Sequence, residues 1–413
     1  MRLKRILVVS QVYPPDPASV GQHIADAAEA LVLRGWEVTV LTANRGYDDP
    51  GIRYVSELNR NGVRVIRLPL SSLGKKTILH RVIGQLSFCI QAILRGLFFS
   101  KLDASFVTTS PPMGSIVAVV LGVFRQIAIH FWVMDINPDQ AIVSGKVGRR
   151  SVGVWAMNWL NRCILKRANL ILVLDRFMME TMRKKFPLAG NKFKLLPPWP
   201  MEGHLRRIEH ADNPFRKEHG LEGKFVVMYS GNHSPVHPLD TVLQAALRLQ
   251  DESRLQFLFV GGGLGKRDVE QVISEQRPMN IRSLPYQPLD RIQYSLSAAD
   301  LHIVSIGDPM VGLIHPCKFY GAMALSKPFV LIGQRESHIG DVLAQYECGW
   351  QFKHGDVDGL VNLLLKLVNA SDEDLEVFGA RGRSSVEDMF GKERLCNELC
   401  EVIELETFTN RND

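Results

Sequence analysis

Residues 195–200, Leu-Leu-Pro-Pro-Trp-Pro, divide the chain into two halves of similar length. Proline fixes φ and has no backbone N–H, so three prolines in four positions cannot lie inside a helix or a central strand. The 413 residues are too many for one hydrophobic core and suit two domains. We therefore predict a first domain over 1–197 and a second over 198–390, with a C-terminal helix in 391–413 that can pack back on the first domain.

Both halves alternate short apolar segments with longer amphipathic ones. In the first half, strand Ile6–Val9 is followed by helix His23–Arg34; in the second, strand Phe225–Ser230 is followed by helix Leu239–Leu249. Further strands are predicted at 37–42, 63–68, 104–108, 127–133, 170–174, 255–260, 281–284, 301–305 and 329–332. Apolar strands alternating with helices indicate parallel sheets covered on both faces. The predicted fold class is α/β, with two doubly wound, Rossmann-like domains facing a central cleft at the carboxyl ends of their strands.

Charge is distributed unevenly between the halves. Residues 1–200 contain 27 Lys and Arg against 12 Asp and Glu, whereas residues 201–413 contain 22 against 31. A basic domain suits a polyanion, either nucleic acid or an anionic lipid surface, although surface cations also simply solvate a domain. No nucleic-acid-binding module is recognisable, so we expect no nucleic-acid partner. The segment Leu79–Lys101 is apolar and basic, which is typical of either an interfacial helix or a core helix.

Cysteine spacing and the length of the apolar segments indicate the cellular compartment of the protein. The six cysteines form no CxxC pair, which indicates a reducing, cytoplasmic environment. No apolar stretch approaches the roughly 20 residues that span a bilayer. We expect a cytoplasmic protein, at most peripheral on the inner face of the cell membrane.

Loops after predicted strands of the second half combine glycines with cationic side chains. Gly231 is followed by two histidines in one loop, and Lys318 lies in the first turn of a predicted helix, where the helix dipole disfavours a cation unless an anion is bound. The alternative to anion binding is that the histidines have a structural role and that the lysine points to water. The candidate anion-binding residues are Gly231, Asn232, His233, His237, Gly262, Gly312, His315, Pro316, Cys317 and Lys318.

Loops of the first half lack the GxGxxG pattern of dinucleotide-binding domains. Residues 10–21 instead form a longer loop that closes on Gly21 at a helix N-terminus, a site suited to anionic or hydroxyl-rich ligands. Asp135 follows a buried strand and is our candidate for binding or activating an acceptor hydroxyl, or else it caps the next turn. The candidate acceptor-side residues are Asp16, Gly21, His23, His130, Asp135 and Asn137.

Taken together, segments along nearly the whole chain resemble glycosyltransferase family 4, the retaining enzymes of GT-B type. Tyr-Pro-Pro-Asp at 13–16 is similar to the family's acceptor-side loop, and Met-Asp-Ile-Asn-Pro-Asp at 134–139 to its Asp-Leu-Trp-Pro-Glu segment. Tyr-Ser-Gly-Asn at 229–232, Val-Gly-Gly-Gly at 260–263 and Pro-Cys-Lys-Phe-Tyr-Gly at 316–321 resemble donor-domain segments. Pro285-Tyr286 stands where the family places a loop against the nucleotide base.

The resemblance implies a glycosyltransferase that uses a nucleotide-diphosphate sugar, with UDP the commonest donor, and a lipid-linked or polysaccharide acceptor in envelope glycan biosynthesis. It implies donor contacts from Tyr286 and catalysis by Asp135, Lys318 and His237, with positive charge and backbone N–H groups stabilising the leaving diphosphate. We recognise no Asp-x-Asp motif of the kind that metal-dependent transferases use to hold Mg²⁺ or Mn²⁺, so we expect no metal and no cofactor.

Two departures from the family pattern leave other functions open. Many members carry two glutamates where this chain has Leu313 and Gly321, and the second of them holds the donor ribose. A non-catalytic relative that binds a sugar nucleotide is therefore one alternative, and a GT-B nucleotide-sugar epimerase is another. A phosphorylase would need a lysine that carries pyridoxal phosphate, and we identify no candidate for such a lysine in the sequence.

Overall fold

The computed structural model describes residues 3–16, 18–46, 49, 51–71, 78–200 and 205–408. Within the predicted acceptor-side loop, Pro17 lies outside the described residues. The chain forms two compact units: the first comprises 1–198, 312–315 and 393–413, and the second comprises 199–311 and 316–392. Each unit is built around its own sheet.

The first unit contains an eight-stranded sheet whose apolar strands are almost completely buried. Its strands are β1 (Lys4–Val9), β2 (Trp36–Ala43), β3 (Glu57–Arg60), β4 (Val63–Leu68), β5 (Ala104–Thr108), β6 (Ala128–Val133), β7 (Leu170–Val173) and β8 (Phe193–Leu195). Its helices are α1 (Ser19–Leu33), α2 (Ile78–Phe98), α3 (Ser115–Arg125), α4 (Asp139–Val143), α5 (Val152–Arg167) and α6 (Arg176–Lys185). The strand order is β3-β4-β2-β1-β5-β6-β7-β8.

The direction of the crossovers sets which helices cover which face of this sheet. The chain moves from β1 through α1 to β2 in one direction, and from β4 through α2 to β5 in the other. Because such crossovers are right-handed, α1 lies on one face, while α2, α3 and α5 lie on the opposite face. Strand order reverses between β1 and β5, and ligands of doubly wound sheets bind beyond the carboxyl ends of strands at such a reversal.

The second unit contains a six-stranded parallel sheet of order β11-β10-β9-β12-β13-β14. Its strands are β9 (Phe225–Asn232), β10 (Leu255–Gly262), β11 (Ile281–Leu284), β12 (Leu301–Ser305), β13 (Phe329–Ile332) and β14 (Gly349–Phe352). Its helices are α7 (Pro214–Glu218), α8 (Asp240–Arg248), α9 (Lys266–Gln276), α10 (Ile292–Ser297), α11 (Lys318–Ala324), α12 (His338–Tyr346), α13 (Val357–Val368) and α14 (Asp372–Ser385). Strand order reverses here between β9 and β12, which marks the carboxyl ends of those two strands as the favoured ligand position.

The last helix, α15 (Lys392–Phe408), packs in the first unit from residue 393 onward. Its Thr407 hydroxyl donates to the Ile403 carbonyl at 2.6 Å, so the hydroxyl oxygen accepts from Nε2 of His130 at 2.8 Å. Glu404 accepts a bond from the Trp36 indole at 3.0 Å. These contacts fix α15 against β6 and β2.

The predicted α/β class is confirmed, and the strands at 63–68, 104–108, 281–284, 301–305 and 329–332 have the predicted boundaries. The expectation of purely parallel sheets is wrong at one edge, because β3 pairs antiparallel with β4. The sequence of β3, Glu-Leu-Asn-Arg, lacks the apolar run of the other strands, as expected for a short, charged edge strand.

Candidate functional site

In the second unit, Lys318 lies across the end of β9. Gly231, near the carboxyl end of this strand, has a φ of 123°, and a Cβ on it would lie 2.9 Å from Cε of Lys318. Glycine is needed at this position both for its backbone conformation and for the approach of the lysine. Nζ of Lys318 lies 5.0 Å from the ring centroid of Tyr229, which is itself buried. The lysine is therefore held at the strand reversal by packing rather than by a carboxylate.

The ammonium of Lys318 is poorly solvated, and no ion-pair partner for it lies in the part of the chain that the structure describes. Burial lowers the pKa of Lys318 to about 8, and the neighbouring Cys317 opposes this shift only weakly. Across the described ranges, no carboxylate lies within ion-pair distance of it. A desolvated, unpaired cation is costly for a folded protein and is stabilised when an anion binds beside it.

Two imidazoles from the predicted loop lie close to the same strand end. His233 is fully buried, and its Nδ1 donates to the Gly231 carbonyl at 3.0 Å. Nδ1 of His237 donates to the Ser305 carbonyl at the end of β12, at 2.7 Å. Burial lowers the pKa of His233 to about 4 and that of His237 to about 3, so both rings are neutral at pH 7 in the unliganded chain.

The glycine-rich turn after β10 packs directly against this loop. A Cβ on Gly261 would lie 2.0 Å from the Gly231 carbonyl oxygen, so only glycine fits. Lys266 closes the turn by donating to the carbonyls of Gly261 and Leu284 at 2.6 and 2.7 Å. The exposed Tyr286 donates its hydroxyl to the Gly262 carbonyl at 3.2 Å. Lys266 thus satisfies backbone groups, in contrast to Lys318.

In the first unit, Asp135 follows β6 at the carboxyl end of the sheet. Its backbone N–H donates to Oγ1 of Thr109 at 3.2 Å, and its backbone forms an antiparallel bridge with Ile314. Burial raises the pKa of the Asp135 carboxyl to about 6, although His315 acts in the opposite direction. A carboxylate with a pKa near neutrality is suited to accept a proton from a hydroxyl.

A second buried carboxylate, Asp175, follows β7 along the same edge. One of its oxygens accepts from Nδ1 of His315 at 2.7 Å, and the other accepts from the Met178 N–H at the start of α6, at 2.8 Å. Both side chains are almost completely buried. Asp175 is not among the residues predicted from sequence, although an acidic residue directly after an apolar strand and before a helix is an available signal.

Residues 312–315 were grouped by sequence with the anion-binding loops of the second half. The structure instead assigns Gly312 and His315 to the first unit, whereas Pro316, Cys317 and Lys318 belong to the second. A Cβ on Gly312 would lie 2.7 Å from Oγ1 of Thr181, and the Leu313 carbonyl accepts from the Ile136 N–H at 2.8 Å. Tertiary packing of this short segment, which its sequence does not encode locally, explains the difference.

The remaining acceptor-side candidates combine contacts within their own loops with contacts to more distant residues. Asp16 is buried and accepts from the Ala18 N–H at 3.1 Å, while Nδ1 of His23 donates to the Ser19 carbonyl at 2.8 Å. Gly21 allows close packing, because a Cβ there would lie 3.1 Å from the Tyr13 backbone nitrogen. Asn137 accepts through its carbonyl from the Asn161 side chain at 2.6 Å.

His130 is placed differently from the acceptor-side role that the sequence suggested. It is completely buried, its Nε2 bonds to Thr407, and burial lowers its pKa to about 3. No part of the ring is accessible to a ligand. The structure therefore gives His130 a packing function between β6 and α15.

The structure thus brings together one group of residues in each unit. Asp135, His315 and Asp175 lie along the carboxyl edge of the first sheet. The group in the second unit surrounds the β9–β12 reversal and consists of Gly231, Asn232, His233, His237, Gly262, Tyr286 and Lys318.

Two family models match the chain and together span both sheets. Residues 19–199 match the glycosyl transferase 4-like domain, and residues 212–385 match glycosyl transferases group 1. The first match ends within the proline-rich segment 195–200, and the second begins shortly after it, at residue 212.

Curated relatives carry the same assignment in their names. WbjE of Pseudomonas aeruginosa, named as a glycosyltransferase, is 24% identical over 63% of this chain and 65% of its own length, just under two thirds. WcaI of Escherichia coli K12, named as a colanic acid biosynthesis glycosyl transferase, is 24% identical over 82% of this chain and 85% of its own length.

Solved structures share the fold at low sequence identity. HepE of Anabaena in complex with UDP has a TM-score of 0.71 and 13% identity, covering 97% of this chain and all of HepE; HepE has also been solved with UDP-glucose. At this identity the likeness establishes the GT-B fold alone. Together with the two family models, it shows that the chain belongs to the group 1 glycosyltransferases of GT-B fold.

Proposed function

We propose that this glycosyltransferase is a retaining, metal-independent enzyme that moves a sugar from a UDP-sugar to a lipid-linked or polysaccharide acceptor. One observation carries the donor half of the proposal: Lys318 is desolvated, has a lowered pKa and lacks a carboxylate partner in the described parts of the chain. An anion of two or more charges, such as a nucleoside diphosphate, would compensate this cation. UDP is the preferred nucleotide because HepE, of the same fold, binds UDP and UDP-glucose.

The leaving group is stabilised in this proposal by charge. As the bond between the sugar C1 and the β-phosphate oxygen breaks, its electron pair passes to that oxygen and the sugar becomes oxocarbenium-like. Lys318 balances the developing negative charge, while His237 gains a proton beside the phosphate because a nearby anion raises an imidazole pKa. Backbone N–H groups around Gly231 add fixed dipoles. In the described ranges, no three His, Cys, Asp or Glu side chains cluster in a way that could hold a metal ion.

The acceptor half of the proposal rests on Asp135. Its raised pKa keeps the carboxylate basic enough at pH 7 to take the proton of an acceptor hydroxyl as the hydroxyl oxygen bonds to C1. Retention then follows if the hydroxyl attacks from the side on which the nucleotide leaves. The pair His315–Asp175 positions the segment that is bridged to Asp135.

We further propose that the enzyme acts in the cytoplasm, where a lipid-linked acceptor would be reached from the inner face of the membrane. The six cysteines form no CxxC pair in the sequence, which supports a reducing compartment. Among the helices that the structure describes, none is long and apolar enough to cross a bilayer. The excess of basic residues in the first half supports contact with an anionic surface.

A second candidate, a non-catalytic binder of sugar nucleotides, is favoured by one feature. Relatives of the family carry glutamates where this chain has Leu313 and Gly321. Among the described residues, a Cβ on Gly321 would meet the side chains of Leu296 and Leu205 at 3.8 and 3.9 Å, which is ordinary contact, so the backbone has room there for a side chain that this sequence lacks. Retained UDP binding without transfer, hydrolysis or epimerisation would favour this candidate.

The test is a thermal-shift screen with UDP, GDP, ADP and their sugars, run on the wild-type chain and on Lys318→Ala. We expect UDP to raise the melting temperature of the wild type, and the variant to bind UDP about 10- to 100-fold more weakly, since it loses bonds to a charged group. The matched control is Lys366→Ala, which removes an exposed lysine of α13. Equal UDP shifts in the wild type and Lys318→Ala would overturn the donor-site assignment.

A further inference from the structure

Three helices of the first unit form a layer whose charge is of one sign. Helix α3 packs against both α2 and α5, and all three cover the same face of the first sheet. None of them contains an Asp or Glu, and between residues 58 and 174 the chain has only Asp103, Asp135 and Asp139 as acidic residues. Exposed helices of soluble proteins usually intersperse both signs of charge, so this layer is unusual.

The outer surface of this layer is also apolar. On α2, Ile83, Leu86, Ile90 and Leu94 recur at helical spacing on the exposed side, whereas Phe88 on the opposite side is in the core. Phe98 at the end of α2 is 84% exposed, and Phe124 on α3 is 72% exposed. Helix α2 is therefore apolar on two sides, only one of which the fold buries.

Helix α5 places two tryptophans on the exposed side of the same layer. Trp155 and Trp159 are one turn apart and are 70% and 56% exposed. Arg162 and Lys166 continue that side of the helix toward its C-terminus, and both are exposed. Tryptophan combines a large apolar ring with a polar N–H, which suits the boundary between lipid headgroups and acyl chains.

A basic loop immediately precedes α5. Lys146, Arg149 and Arg150 are all exposed, and none has an ion pair within the part of the chain that the structure describes. Arg81 and Arg95 on α2 are exposed as well, so both α2 and the loop before α5 add positive charge to this layer.

We propose that the outer surface of α2, α3 and α5, together with the basic loop, docks on an anionic lipid bilayer, with Trp155 and Trp159 at headgroup level. Charge complementarity selects this occupant. A symmetric contact between two copies of this surface would bring cations against cations. A nucleic acid would leave the apolar side chains unmatched, whereas a bilayer with anionic headgroups matches both properties. The inference rests on the proposed function in that a lipid-linked acceptor would lie at such a bilayer.

Vesicle flotation of the full chain tests this inference. The vesicles contain phosphatidylcholine alone or phosphatidylcholine with phosphatidylglycerol. We expect the wild type to float with the anionic vesicles and to be released as salt increases. Trp155→Ser/Trp159→Ser should reduce partitioning on the order of tenfold or more, because two large apolar side chains no longer insert. Lys146→Gln/Arg149→Gln/Arg150→Gln should reduce it by about 100-fold on anionic vesicles.

The control is Leu33→Ser, which removes an apolar side chain that is 89% exposed on α1, on the opposite face of the sheet. It should float like the wild type. Absence of flotation by the wild type, or equal flotation by the tryptophan variant, overturns the inference, as does concentration-dependent dimerisation in its place.

A UDP thermal shift measured without vesicles separates this inference from the proposed function. The shift also shows that each variant is folded. If the wild type binds UDP and transfers sugar but never floats, the docking inference fails and the proposed function stands. If the wild type floats but binds no nucleotide, the docking inference stands and the proposed function fails.

Discussion

Asp135 in the first unit and Lys318 in the second both lie at the carboxyl edge of a parallel sheet, and burial shifts the pKa of each toward neutrality. Asp135 rises to about 6 and Lys318 falls to about 8. Their surroundings differ. Asp135 lies beside the His315–Asp175 pair, whereas Lys318 lies on a glycine and a tyrosine ring without a carboxylate partner in the described residues.

This difference separates a preformed polar network from an uncompensated charge. The buried pair in the first unit satisfies its own hydrogen bonds, so it stabilises the fold before any ligand arrives. Lys318 contributes unfavourable desolvation until an anion binds. We infer that one edge is built to hold a catalytic carboxylate in position and the other to gain stability from its ligand.

The largest effect is expected from Asp135→Asn. An amide of similar shape cannot accept the hydroxyl proton, so kcat should fall by about 10²- to 10⁴-fold. Donor binding should stay within twofold of the wild type, because the substitution lies in the acceptor half of the proposed reaction. Steady-state transfer and the UDP thermal shift measure the two quantities. A kcat within threefold of the wild type would remove Asp135 from the mechanism.

The sequence predicts one side of this comparison better than the other. The strand ends and Lys318 are local features: an apolar run defines each strand, and a lysine at a helix start is unusual in itself. The pairing of His315 with Asp175 joins residues 140 positions apart. Only the packing of 312–315 into the first unit creates it, so no local pattern reveals it.

The same distinction explains His130, which the sequence places at the end of a strand and near Asp135. Its partner Thr407 lies 277 residues away on the last helix, and the ring is buried before the strand reaches the edge of the sheet. Alternation along a strand and helix-to-strand packing, rather than proximity in sequence, decide which polar residues reach a site.

Two variants test the difference between the two sheet edges by their effect on the free energy of unfolding. Asp175→Asn keeps the shape and the bond from Met178 but removes the charge that accepts from His315, so it should lower the free energy of unfolding by about 1–3 kcal/mol. Lys318→Met removes a desolvated cation and should leave the unliganded stability unchanged or slightly higher. UDP should still stabilise Asp175→Asn but not Lys318→Met. Equal destabilisation of the unliganded proteins by both substitutions, measured by thermal and urea unfolding, would contradict the comparison.

The pH dependence of kcat/KM tests Asp135 and Lys318 in one experiment. Of the predicted changes, those in kcat/KM across one pH unit are expected to be the smallest. This ratio reports groups of the free enzyme. Asp135 must be deprotonated to accept a proton, so the ratio should rise with pH up to about 6. Lys318 must be protonated to bind the diphosphate, so the ratio should fall above about 8. Each limb should change about tenfold per pH unit.

Lys318→Arg identifies the alkaline limb, because arginine keeps its charge throughout the accessible range. In this variant the fall above pH 8 should disappear while the acid limb stays at about 6, even if the longer side chain lowers the plateau. An alkaline limb that remains at 8 in Lys318→Arg would assign it to another group. The unpaired lysine would then not be the cation that responds to the donor, and the proposed difference between the two sheet edges would lose its electrostatic basis.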